Sequence, residues 1–217
     1  MSKSLEELFS IKRLNSYNRE GNPSVDEKIL RYNFNIELSR AFYPALHILE
    51  VSIRNNLHLA FADYLNDHNW LMNYSNHSLI HSRERMKIED ALKELSKKKK
   101  PIEEGRIIAE LNFGFWVNLF DRPYTDVHLK TGKDQFPNAT APQRNISKLR
   151  TDLNQIRFLR NRIFHYEPIW HWNNLEELFL DIKQIINYMK KELGLESFLE
   201  SEKEIFGLLE NKNRLKK

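Results

Sequence analysis

The chain has 217 residues, 41% of them apolar and 12% aromatic, with a formal charge of +4 and no cysteine. This apolar content supports a real core and excludes a disordered chain, while the missing thiols exclude disulfides and thiolate metal sites. Residues 1–7 lack an apolar signal core, and the most apolar run, residues 107–120, is interrupted by Glu110, Asn112 and Asn118; the expectation is a soluble cytoplasmic protein with no membrane partner.

In chain order, helix signals dominate and strand signals are nearly missing, which predicts an all-α fold. Ser4-Leu-Glu-Glu7 and Ser24-Val-Asp-Glu27 have the capping-box pattern and predict helices over residues 4–10 and 24–65. In the second of these, Leu38, Phe42, Leu46, Leu49, Ile53, Leu57, Ala60, Phe61 and Tyr64 form one apolar stripe, and Pro44 is expected to kink or split the helix. A helix over 74–99 ends in the lysine run 97–100, which reads as a solvated helix end ahead of Pro101. Another is expected over 102–120. In it, Asn112-Phe-Gly-Phe-Trp-Val117 reads as core or dimer interface, with a base-stacking platform as the sharper alternative. Residues 121–141, holding Pro123, Gly132 and Pro137, read as a long loop with room for one short helix. Helices over 141–166, 173–192 and 196–212 complete one domain over residues 1–195 and a charged C-terminal helix or tail over 196–217. His77 and His81 are four apart but have no further ligand at metal spacing, so they read as surface residues and no metal or cofactor is expected.

The stretch Arg160-Asn161-Arg162-Ile163-Phe164-His165 sets a phosphate-binding cation and a side chain that titrates near neutrality one helical turn apart. If residues 149–164 are helical, Leu149, Leu153, Ile156, Leu159, Ile163 and Phe164 make an apolar stripe with Arg160 near its middle. A guanidinium there needs a partner, and Glu50, misplaced in the stripe of the earlier helix, is one candidate. Alternatively, Glu50 pairs with Arg54 on its own helix and Arg160 snorkels to the surface. His165 lies about 140° from Arg160 at 100° per residue. The two therefore converge only if the helix ends near residues 164–167, before Pro168, or if two chains share one site. A histidine at a helix end also serves simply as a partner for the helix dipole. Arg144, Lys148, Arg150, Arg157, Arg160 and Arg162 face a single acid, Asp152, which predicts a dense positive field. His47, Arg54 and His58 flank the earlier stripe, either as secondary RNA contacts or as the ordinary polar edge of an amphipathic helix.

Four separated motifs then carry a resemblance. Arg31-Tyr-Asn-Phe-Asn-Ile36, Phe42-Tyr-Pro-Ala-Leu-His-Ile-Leu-Glu-Val-Ser-Ile-Arg-Asn55, Glu110-Leu-Asn-Phe-Gly-Phe-Trp-Val-Asn-Leu-Phe120 and Leu159-Arg-Asn-Arg-Ile-Phe-His-Tyr-Glu-Pro-Ile169 resemble the Abi-like proteins of bacterial abortive infection, the AbiD/AbiF group. They span roughly residues 5–190. The resemblance implies a HEPN-like helical bundle with a C-terminal helical extension, commonly a homodimer. It also implies a metal-independent endoribonuclease acting through an Arg-x(4–6)-His motif. Arg160 and His165 would be the catalytic pair, with Asn161 the polar residue that follows the arginine. Glu50, Arg54, His58, Arg157, Arg162 and Tyr166 are the candidate supporting residues, Tyr166 standing where many members carry a second histidine. Such a protein would be a phage-defence toxin with RNA as substrate and a protein or RNA antitoxin as partner. Some HEPN domains have lost catalysis, so the alternative is an inactive module that binds RNA or a partner protein. A DNA-binding regulator would need a helix-turn-helix with a free recognition helix, and the chain has no clear one.

Overall fold

The computed structural model describes residues 9–18, 23–190 and 196–212, so the helix expected over residues 4–10 lies almost wholly outside the described residues. Among the described residues the fold is all-α, without a strand. The helices are α1 (Ile11–Asn15), α2 (Val25–Leu65), α3 (Ser82–Lys97), α4 (Glu104–Glu110), α5 (Phe113–Asn118), α6 (Thr125–Gln135), α7 (Ile146–Phe164), α8 (Leu175–Met189) and α9 (Glu196–Lys212). Short 3-10 turns occupy Tyr74–Asn76 and Arg122–Tyr124. No helix among the described residues is long and apolar enough to cross a membrane.

Local chemistry sets the helix ends. α2 starts in a reciprocal capping box, with Glu27 N–H donating to Ser24 Oγ at 3.2 Å and Ser24 N–H donating to Glu27 Oε2 at 2.7 Å. Pro44 lies inside α2, yet the helix continues to Leu65. Proline removes one backbone donor, and burial of Leu38, Phe42, Leu46 and Leu49, none more than 2% exposed, offsets that loss. The single helix expected over 102–120 is broken in two. Asn112 is extended there, and its Oδ1 accepts the Phe115 N–H at 3.0 Å, capping α5. The helix expected from residue 74 begins only at Ser82. The segment read as a long loop holds α6, whose buried stripe of Val127, His128, Thr131 and Gln135 is too polar to register as a helical pattern.

The chain forms two compact units, the first made of residues Met1–His47, Phe158–Ile182 and Gly194–Lys217, the second of Ile48–Arg157 and Lys183–Leu193. In the first, Phe179 packs at 6.1 Å from Phe42 and at 5.9 Å from both Phe198 and Phe206, so α9 supplies part of the core. Ser201 donates its hydroxyl to the Ala41 carbonyl, and Lys212 donates to the Trp172 carbonyl. Buried Asn35 organises the chain after α7: its Oδ1 accepts the Ile169 N–H at 2.6 Å and the Trp170 N–H at 3.1 Å.

In the second unit, Phe113, Phe115 and Trp116 are at most 2% exposed, which makes them core and removes the base-stacking alternative for residues 112–117. Glu84, 1% exposed, accepts from Tyr124 Oη at 2.8 Å and from Arg83 Nε at 2.6 Å. His77 is half-buried with Nε2 2.8 Å from Asp67 Oδ2, so it is a structural partner rather than a bare surface residue. Asp67 is held below the usual carboxylate range by His77 first and then by the Asn73 amide. No group of three or more metal-ligating side chains occurs among the described residues.

Two histidines of this unit are held toward neutrality. His128 stacks 4.6 Å from Phe120, with Nε2 2.8 Å from the Leu119 carbonyl and Nδ1 3.0 Å from Gln135 Oε1. Burial lowers its pKa despite these bonds. His58 accepts the Trp70 Nε1–H on Nδ1 at 3.1 Å and is shifted down by burial as well. Glu104, 3.6 Å from His58 Nδ1, is raised by burial although its carboxylate accepts the Leu71 and Met72 N–H groups at 3.0 Å. Burial disfavours charge on both partners at a separation beyond hydrogen-bond reach, so the two sit side by side without the bond of an ion pair.

Two outcomes follow for stability. Replacing Asn35 with Ala strands two backbone N–H groups and should cost about 2–4 kcal/mol, read as a lower urea midpoint; an unchanged midpoint would show that Asn35 does not hold this segment. Histidines with lowered folded-state values contribute stability that is complete above the ordinary pH 6.5 and declines as the pH falls below it. Melting temperature should therefore drop between pH 7.5 and 5.5, less steeply in His128→Gln, and a flat wild-type profile would contradict this account.

Candidate functional site

α7 ends at Phe164, and His165 is the first residue beyond it. Tyr166 N–H donates to the Ile163 carbonyl at 3.0 Å and Glu167 N–H to the Arg162 carbonyl at 2.8 Å. This is the Schellman pattern of helix termination, and it puts Tyr166 in the left-handed region at φ 57°. Asn66 and Lys99 take the same conformation after α2 and α3. A tyrosine there bears the full Cβ penalty that glycine escapes. The tyrosine is 75% exposed, so burial of its ring does not offset the strain. Arg13 holds the turn from α1, its Nη2 donating to the Tyr166 carbonyl at 2.6 Å.

Arg160, Asn161, Arg162, His165 and Tyr166 all belong to the first unit. Arg160 is half-buried, its guanidinium 4.3 Å from the centre of the Phe164 ring and its Nη1 3.4 Å from Asn161 Oδ1. Asn161 and His165 are exposed. Arg162 pairs with Glu167 at 2.6 Å and lies over Phe158 and Trp172, two rings stacked at 5.5 Å. The helix therefore carries an exposed imidazole at its end and a cation one turn back on an aromatic face.

The other candidates, Glu50, Arg54, His58 and Arg157, belong to the second unit. His58 is engaged with Trp70 as described above. Arg54 has its Nε buried without a hydrogen-bond partner among the described residues. Arg157 donates from Nη1 to Asn118 Oδ1 at 3.2 Å and lies over Gly114. A Cβ at Gly114 would sit 3.2 Å from Asn112 Oδ1 and only in ordinary contact with Arg157 Cδ at 3.6 Å, so glycine leaves room for the Asn112 cap of α5. The dense positive field expected along α7 is partly neutralised: Lys148 pairs with Asp152 and Arg150 with Asp121, both at 2.7 Å.

Sequence reasoning missed a cavity of about 740 Å³ in the first unit, bordered by Ile163, Phe164 and Tyr166 of the motif and by Arg13, Tyr17 and Tyr43. A signal for it exists. Ile36, Arg40, Tyr43 and His47 recur at steps of four, three and four on α2, away from its core stripe, and all are exposed. Tyr43 lies 6.1 Å from His47 and 5.8 Å from Phe164, extending the aromatic surface from α2 to the end of α7.

Comparison with protein-family models, with characterised proteins and with solved structures finds no match for this chain.

Relieving the strained turn has a measurable consequence. Tyr166→Gly should stabilise the protein by about 1 kcal/mol, or raise Tm by roughly 2–4 °C. A lower Tm in this variant would mean that the tyrosine side chain stabilises the turn by more than its backbone strain costs.

Proposed function

We propose that this chain is a metal-independent endoribonuclease of the Abi-like, HEPN kind, acting as a phage-defence toxin. The reading is supported by the four-motif resemblance and, among the observations made on the fold, above all by the end of α7. There His165 caps the helix and is exposed, its N–H on the Asn161 carbonyl and Arg160 one turn back.

The chemistry uses groups that these residues carry. An imidazole of His165 accepts the proton of a ribose 2′-hydroxyl, and the 2′ oxygen bonds to the adjacent phosphorus. The P–O5′ bond breaks, and O5′ leaves with a proton from a second imidazole, giving a 2′,3′-cyclic phosphate and a 5′-hydroxyl. Arg160 stabilises the charge that develops on the phosphorane, a contribution of about 3–4 kcal/mol for such a donor. Asn161 orients the imidazole or donates to phosphate. One chain brings one histidine of this kind, so a second copy supplies the other and a homodimer is the working form. A protein or RNA antitoxin would restrain the activity in the cell.

The test is direct. Purified protein in EDTA should cleave mixed RNA to products with 2′,3′-cyclic phosphate ends, and Arg160→Ala and His165→Ala should each slow cleavage by about 10²- to 10⁴-fold. Cleavage that survives both substitutions, or that disappears on chelation, would overturn the assignment.

A further inference from the structure

The cavity beside the end of α7 has a composition that selects for one kind of ligand. Its volume of about 740 Å³ is in the range of small-molecule sites. Aromatic rings form much of its wall. Tyr17 and Tyr32 meet edge to face at 5.4 Å, and Tyr43 and Phe164 lie at 5.8 Å from each other. Tyr43 is 50% exposed and Phe164 38%, so both leave ring surface free for a planar group.

The ionisable groups on the wall besides the tyrosines are Arg13 and Arg40, and neither Asp nor Glu lines it. Arg13 commits one donor to the Tyr166 carbonyl, which leaves the rest of its five N–H donors. Arg40 is paired with Glu204 on an exposed surface, where an incoming anion can share or exchange it. Two largely buried polar side chains border the cavity: Tyr17, 1% exposed, brings a phenolic hydroxyl, and Asn35, 5% exposed, brings a side-chain NH₂ besides the Oδ1 that holds Ile169 and Trp170. Burial first, and then the neighbouring Tyr32, push the Tyr17 phenol up to about 12, which keeps it a neutral donor. A purely apolar ligand would offer neither group a hydrogen bond.

We propose that this cavity binds a nucleotide unit, with the base against the tyrosine and phenylalanine rings, its edge on Tyr17 and Asn35, and the phosphate on Arg13 and Arg40. Ring faces, polar side chains at the base of the wall and two guanidinium groups on a wall that no acid lines are the three features that a base joined to a phosphate satisfies together. Such a unit comes either as a free mononucleotide or as one residue of an RNA strand. The inference stands on the cavity and does not require that the chain cleave RNA.

Calorimetric titration of the full chain tests it. The probes are adenosine and uridine 5′-monophosphates and a 2′-O-methyl oligoribonucleotide, which lacks the attacking hydroxyl and so keeps binding separate from cleavage. Saturable binding of a monophosphate marks a free-nucleotide site, and saturation by the oligonucleotide alone marks a strand subsite. In either case Tyr17→Phe, which retains the ring, should weaken binding at least 5-fold, and Tyr43→Ala, at an exposed position, at least 10-fold. No saturable binding by any probe, or binding that neither substitution alters, would overturn the proposal.

Discussion

Two backbone hydrogen bonds, from Tyr166 to the Ile163 carbonyl and from Glu167 to the Arg162 carbonyl, decide where α7 stops. Because they form, Tyr166 turns left-handed, His165 is the last residue bonded into the helix, its N–H on the Asn161 carbonyl at 2.9 Å, and the chain runs on toward the Asn35 side chain that fixes Ile169 and Trp170. Pro168 follows closely and disfavours helical geometry in the residue before it, so helix, turn and proline agree. Arg13 then ties the turn to α1. A small shift in this termination would alter the imidazole, the cavity wall and part of the first unit's core at once. That an aromatic residue occupies the strained position, where glycine would be easier, makes the turn a place where stability and site geometry compete.

Charge acts locally here. A net +4 and a basic helix invite the idea of a broad electrostatic surface, but Lys148, Arg150 and Arg162 each meet a carboxylate at 2.6–2.7 Å. Other cations sit differently: Arg160 lies over the Phe164 ring, and Arg13 borders a cavity that no acid lines. Position relative to neighbours, rather than the count of basic residues, distinguishes them.

Features decided within a few residues were legible in the sequence. The Ser24–Glu27 capping box, the reach of α2 to Leu65 and the stop of α7 before Pro168 each depend on local backbone and side-chain chemistry. Features decided by competition or by distant packing were not. Asn112 competes with the helix around it by capping a new one, and nothing nearby announces which will win. α6 hides its inward face because His128, Thr131 and Gln135 are satisfied by one another and by the Leu119 and Val127 carbonyls, a solution that appears only once they are buried together. The motif residues stand close together in the chain, whereas the cavity joins residues of α1, α2 and the end of α7 that no single linear pattern connects.

The threading of the chain between its two units bears on how the protein is made. Ser201 and Phe198 complete a core begun by Ala41 and Phe42, roughly 160 residues earlier, and the intervening segments leave and re-enter that unit. Closing such a long separation slows folding, and the nascent chain holds its first unit unfinished until α9 has cleared the ribosome. The aromatic hollow joins residues of α1 and α2 to the end of α7, so its wall closes only once α7 has been made, before the core beside it is complete.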